Sequence, residues 1–466
     1  MALKNWLRVA ATSALYFSIT LAAGKSPVQQ PLKWHTKLIA TPIDEGCDID
    51  ITINDEKDWE AKSSCTVYGG DITVGPDMIT SFDLGDKLTT IENTFSVINA
   101  TEMTALSASR LERVQTFEAS GLTILSELNF PKLTSVDNLK LLGLPALSTL
   151  SLTYTIENFV DLEIQRTFLS STDGIFPSGE VNSILLANNR YLYDVTMPVK
   201  RVSGALTVRD NGDKLALRLK NLEHADQITL HNLSAVDFPS LGSVSGFLTV
   251  SDNNIKDLLL PNFTSSDGFV SIRGNGDLRS LDLSALEFVN SDFIIAETPK
   301  LPNITLPNLK TVNGALYLDG NFSSIDLPAI ESIEEGLWVI SPDTPCDTFA
   351  EIAWMQPANG VVKGGVTLEC DDSGSEKSNS STSSGTTVGS TSTFNLDHTP
   401  SSLADSTSPA TASASATASA TGSATAASAS AFGSAAPTTV SGSAGSRLLV
   451  GSGAILGGLM ALALAL

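Results

Sequence analysis

Between Val202 and Ile340 apolar and other residues alternate in short triplets that recur at a near-constant interval. The triplets are Leu206-Thr207-Val208, Ile228-Thr229-Leu230, Leu248-Thr249-Val250, Val270-Ser271-Ile272, Phe293-Ile294-Ile295, Leu316-Tyr317-Leu318 and Leu337-Trp338-Val339. Their first residues lie 22, 20, 22, 23, 23 and 21 positions apart. Most read apolar, other, apolar, which is the pattern of a strand with one buried face. An interval of this size predicts a solenoid with one turn of coil per repeat.

Most turns hold a second short strand: Val236-Asp237-Phe238, Leu258-Leu259-Leu260, Leu281-Asp282-Leu283, Ile304-Thr305-Leu306 and Ile325-Asp326-Leu327. Proline often follows, at Pro239, Pro261, Pro307 and Pro328. Proline offers no N–H to a strand ladder, so it ends the strand and turns the corner. A Leu-x-x-Val-like step comes next, as in Leu309-Lys310-Thr311-Val312, and gives each turn about three sides. Asn189, Asn211, Asn253, Asn275 and Asn321 each fall three residues after the first strand. An asparagine there can turn inward and bond the backbone of neighbouring turns, or hold a left-handed bend. Phe130-Pro131-Lys132-Leu133-Thr134-Ser135-Val136 carries the corner pattern into the N-terminal half, but residues 154–200 break the rhythm. One turn cannot bury its own apolar face; stacked turns can.

Four cysteines flank the repeats: Cys47 and Cys65 before them, Cys346 and Cys370 after. The simplest of three connectivities joins each flanking pair. Such loops would close the open ends of a coil and stabilise it by about 3 kcal/mol each. Their spacing and the scarcity of histidine do not suit zinc.

The chain's two ends read as processing signals. Residues 1–24 combine Lys4 and Arg8, an apolar run and the small residues Leu21-Ala22-Ala23-Gly24, which predicts a secretory signal peptide. Residues 25–46 form a linker, and 47–372 the solenoid. Residues 373–446 collapse into Ser, Thr, Ala and Gly, too poor in large apolar side chains to offset the entropy of ordering. This predicts an O-glycosylated stalk. Residues 447–466 are an apolar tail behind a small, polar spacer, the pattern of a glycosylphosphatidylinositol (GPI) signal that is removed on anchoring. Candidate attachment residues are Ser434, Ser441, Gly442 and Ser443. Sequons at Asn99, Asn232, Asn262, Asn303, Asn321 and Asn379 predict N-glycosylation. Asn321 is claimed both by the inward ladder and by the glycan, and the two are incompatible.

The net charge of −23 argues against nucleic acid and anionic membrane surfaces as partners. The chain carries no nucleophile elbow, phosphate loop, paired-histidine metal motif or dinucleotide fingerprint, so no cofactor is expected. His224 and His231 flank one repeat without a catalytic motif around them. The best enzymatic reading is a glycosidase using Asp237, Asp282 and Asp326. These lie in alternate turns, roughly 10 Å apart at the strand spacing, somewhat too far for a retaining pair and marginal for an inverting one. A binding face is the other reading. The middle positions of the last strands, Ile294, Tyr317 and Trp338, would stand exposed in a row suited to sugar rings or a partner, unless a C-terminal cap with Phe349 and Trp354 covers them.

With these features assembled, the chain resembles the fungal GPI-anchored cell-wall-organisation and sporulation-specific proteins, whose ectodomain is like the receptor L-domain. The resemblance rests on Cys47 with Ile51-Thr52-Ile53, on Cys65 to Val74, and on the paired strands Val202 to Val208 and Val312 to Leu318. The order of signal, repeats, cysteine pair, stalk and tail also matches. It implies an all-β, right-handed β-solenoid of leucine-rich-repeat type and no catalytic residues. It further implies a place on the outer plasma membrane and in the wall, a role in wall assembly and integrity, and wall polysaccharide or wall proteins as partners. A glycan- or ligand-binding module is the alternative function.

Overall fold

The computed structural model describes residues 42–76, 80–150, 160–173, 175–176, 179–355 and 360–371. The signal segment, the stalk, Asn379 and the candidate attachment residues Ser434, Ser441, Gly442 and Ser443 lie outside the described residues.

The chain winds into a parallel β-solenoid of about 14 turns of ~22 residues. One side is a single continuous sheet in which every described pairing is parallel. The repeat triplets align one on the next: Leu206 pairs with Ile228, Ile228 with Leu248, Leu248 with Val270, Val270 with Phe293, Phe293 with Leu316 and Leu316 with Leu337. The two apolar residues of each triplet point inward and are buried. A slip of one residue would turn all of them to solvent, so burial itself fixes this register.

The second side is divided into separate short sheets, including Thr80–Asp83 with Met103–Ser107 and Glu127–Asn129, and Asp194–Thr196 with Ala216–Arg218 and Ala235–Asp237. These strands end one residue before the expected triplets do, at Asp237, Asp282 and Asp326, just ahead of the corner. The third side holds two-residue strands such as Thr311–Val312 and Ser332–Ile333, which join the same sheet as the triplets through longer strands such as His224–His231. Residues 154–200 do not break the coil where they are described: Asp161–Thr167 pairs with Ser135–Leu144 on one side and Ser183–Ala187 on the other.

The corner after the long sheet repeats a single device. Asn99, Gly121, Gly143, Arg166, Asn188, Asp210, Asn232, Asp252, Gly274 and Glu297 all have φ between 52° and 69°. This left-handed conformation suits Gly, Asn and Asp and is uncommon for Arg and Glu. The bend is therefore one residue earlier than the inward asparagines, which serve only as hydrogen-bond bridges. Asn189 Oδ1 accepts from Thr167 N at 3.0 Å and Thr167 Oγ1 at 2.8 Å, while its Nδ2 donates to Ile164 O at 2.9 Å and Asn211 Oδ1 at 3.1 Å. Asn211, Asn253 and Asn275 continue the pattern, bonding Leu186 O, Leu230 O and Val250 O respectively.

Asn321 departs from it and is exposed. The buried backbone of Phe322 is satisfied from the next turn instead, its N–H by Ser341 Oγ at 3.1 Å and its carbonyl by Thr344 Oγ1 at 2.9 Å. The ladder has no use for Asn321, which leaves its amide open to a glycan.

Disulfides close both flanks, Cys47 to Cys65 and Cys346 to Cys370. At the first, the short helix Glu56–Glu60 is held by an Asp55–Asp58 capping box and lays Trp59 against Tyr68 and Phe82, at centroid distances of 6.0 and 6.3 Å. At the second, Phe349, Ile352 and Met355 join the core of the last turns.

Candidate functional site

On the long sheet the position between the two inward residues of each turn points out, so the outward face is a set of columns running along the coil. The central column reads Thr207, Thr229, Thr249, Ser271, Ile294, Tyr317 and Trp338, in register. Ile294 and Tyr317 do not stand exposed as expected: they retain 2% and 7% of their surface. Parallel strands set these side chains about 4.8 Å apart, so a run of large residues shields itself. Trp338 is half-buried because its indole lies down over Gly336, where a Cβ would come within 2.6 Å of the ring. The row is a packed apolar seam on the outside of the sheet.

Beside it, Phe247 and Phe269 stack at 4.9 Å with planes 2° apart, both half-buried. Asp292 follows Phe269 in that column, is buried, and accepts from Ala315 N at 2.8 Å. On the other flank of Tyr317 lies Asp319. Burial, then the charges of Glu297 and Glu369, hold its carboxyl above the usual carboxylate range. The folded state therefore favours the protonated form. Its contribution to stability is full below the unfolded pKa and is lost as pH rises through the folded pKa. Asp319→Asn is expected to raise stability at pH 7 relative to the parent, and the gain is expected to shrink toward pH 4. Denaturant unfolding at the two pH values checks this.

The remaining polar candidates do not converge on a reaction centre. His224 Nδ1 meets Ser243 Oγ at 2.8 Å, and burial, aided by Arg201, lowers its pKa. His231 lies at the far end of the same strand, between Asp210 at 3.1 Å and Asp252 at 3.6 Å. On the second side, Arg218 pairs with Asp237, Leu259 with Asp282 and Thr305 with Asp326. Asp237, Asp282 and Asp326 thus fall in three different short sheets, and Asp282 accepts from Ser284 N at 3.0 Å to hold its own turn. Among the described residues, no three of His, Cys, Asp and Glu are placed to hold a metal ion.

The described sequons sit at corners and on the second side. Asn99 and Asn232 occupy left-handed corners, Asn262 follows Pro261, Asn303 begins a second-side strand, and Asn321 lies at its corner. Asn99, Asn262, Asn303 and Asn321 are exposed, and Asn232 is half-buried with Nδ2 donating to Asn211 O at 2.9 Å. None points out from the long sheet.

The sequence reading missed one cluster. Phe168, Tyr191 and Tyr193 are 36%, 51% and 60% exposed, and the rings of Phe168 and Tyr191 meet edge to face at 4.7 Å. The signal was the run Arg190-Tyr191-Leu192-Tyr193, two tyrosines close together in a turn between the strands Ser183–Ala187 and Asp194–Thr196.

The chain is similar to several curated fungal proteins. Protein ecm33 of Aspergillus fumigatus is 29% identical over 343 residues, covering 73% of this chain and 84% of that one. Several relatives of this chain carry the names of fungal cell-wall or GPI-anchored cell-surface proteins. Sporulation-specific protein 2 of Saccharomyces cerevisiae is 26% identical, over 67% of this chain and 62% of its own, so this chain spans less than two thirds of that relative. A cell surface GPI-anchored protein of Arthroderma benhamiae is 26% identical, over 69% and 82%. Identities among the Ecm33, Sps2/Sps22, Pst1 and GPI-anchored homologues run from 23 to 29% over most of the chain. Their names support an extracellular, GPI-anchored and wall-associated location. No family model and no solved structure matches the chain.

Proposed function

We propose that this protein is a GPI-anchored cell-surface glycoprotein with a non-enzymatic role in the organisation, assembly and integrity of a fungal cell wall. The observation that carries the proposal is the set of homologues, several of which bear wall and surface names and share most of the chain. The fold is consistent with it. A repetitive coil with closed ends is a durable body to set on a stalk, and the second-side carboxylates are distributed over three separate short sheets. In this reading residues 373–446 lift the solenoid off the membrane, the GPI lipid holds it there, and the N-glycans at the corners leave the long sheet clear.

Removing the protein from the organism that makes it is expected to increase sensitivity to wall-perturbing dyes and to digestion by glucanase, and the full chain is expected to restore resistance. An unaltered wall in its absence would reject the proposal. Release of reducing sugar from wall polysaccharide by the purified protein would reject the non-enzymatic part of it.

A further inference from the structure

We infer that Phe168, Tyr191 and Tyr193 form a binding platform for a neutral polysaccharide chain of the wall. The inference rests on the wall location argued above and adds to it a site and a ligand class. The other strongly exposed large apolar residues among those described are aliphatic: Ile43, Ile49, Ile98, Ile124 and Leu259. Single exposures of that kind are ordinary, whereas adjacent exposed aromatics are not. Two turns supply the three rings. Phe168 comes from the corner after the strand Asp161–Thr167, and Tyr191 and Tyr193 from the corner after Ser183–Ala187. Leu192, between the tyrosines, is buried and anchors this corner in the core while both tyrosines remain exposed.

The platform is built on rigid parts. Phe168 directly follows Thr167, and Tyr191 lies two residues after Asn189, the two buried residues joined by paired hydrogen bonds at 3.0 and 2.8 Å. This is the end of the asparagine ladder, so both ring-bearing corners are pinned to the core and little freedom is lost on binding. Arg166 holds a left-handed backbone immediately before this segment, a conformation an arginine seldom takes.

The chemistry selects the ligand. Aromatic faces with phenolic rims accept the apolar C–H face of a pyranose ring while the hydroxyl hydrogen-bonds its edge. Arg166 and Arg190, both exposed, supply further donors beside the rings. A chain of net charge −23 disfavours a polyanion, which leaves neutral polymers.

The test uses full-length protein extracted in detergent and bound to insoluble β-1,3-glucan, chitin and mannan in parallel. Saturable retention on at least one polymer is expected. Tyr191→Ala and Tyr193→Ala are each expected to weaken it about tenfold, with Tyr191→Phe losing less. Both positions are exposed, so thermal unfolding should not move, and a variant that unfolds early is replaced by Tyr193→Ser. Retention unchanged in the double alanine variant, or no retention of the parent on any of the three polymers, overturns the inference. The two readings separate in the cell. If loss of the protein weakens the wall but the double variant restores it fully, the platform fails and the wall role stands. If loss has no effect, the wall role fails.

Discussion

Asn253→Leu is expected to lower the unfolding free energy by about 2–5 kcal/mol, although the two side chains share the same branching and number of heavy atoms. The loss comes from orphaned partners. Asn253 Oδ1 accepts from Leu233 N at 2.9 Å, and its Nδ2 donates to Leu230 O at 3.2 Å and Asn275 Oδ1 at 3.1 Å. All of these residues are buried, so no water replaces the missing atom. A buried amide left unpaired costs about 1–3 kcal/mol, which applies to the Leu233 N–H, and forcing the bulkier leucine into this packed position adds about 1–3 kcal/mol. Denaturant unfolding of the purified protein measures the effect. Because each turn contacts only its neighbours, a second outcome is expected in the same curve. The turns around residues 230–275 should open before the rest, splitting or broadening the transition. A parent-like midpoint and slope would show that the ladder carries no such weight.

Phe117→Ala is expected to cost about 3–5 kcal/mol. Phe117 is buried between Phe95, whose ring stacks on it at 5.4 Å and 9°, and Phe130, tilted at 5.0 Å. Phe95 and Phe117 belong to adjacent strands of the long sheet, while Phe130 comes from the corner after the second-side strand Glu127–Asn129. The cluster therefore ties two sides of the coil together, and removing its centre leaves a cavity that strands locked in register cannot close. A lower unfolding midpoint is expected, and Phe117→Leu should recover most of the loss. If both variants unfold like the parent, the interior at this turn is not packed as described.

The long sheet was legible in the sequence because its period is strict and its inward positions are apolar, from Leu206 to Val339. The turns at Leu162-Glu163-Ile164 and Ile184-Leu185-Leu186 were harder to read. Their outward positions are Glu and Leu rather than Thr or Ser, and the second triplet is apolar throughout, which hides the alternation. The left-handed corner was missed for a related reason. Arg166 and Glu297 occupy it alongside Asn, Asp and Gly, so no one residue type marks the column. The burial of Ile294 and Tyr317 lay beyond any single strand's pattern. Alternation says which way a side chain points, but shielding depends on what the next turn puts 4.8 Å away. The exposed rings of Phe168, Tyr191 and Tyr193 were not legible because they fall within residues 154–200, where the broken rhythm offered no register to separate inward from outward positions.

The spacing between paired positions of the long sheet is not constant. It is 20 residues from Ile228 to Leu248 and 29 from Leu337 to Val366, where the segment carrying Cys346 is accommodated. The strands on both sides of each jump remain aligned, because added or missing residues are taken up where the chain changes direction. Length and core are thus uncoupled in this molecule. Natural insertions and deletions can accumulate at its bends, and peptide tags can be grafted there, without any strand having to find a new partner.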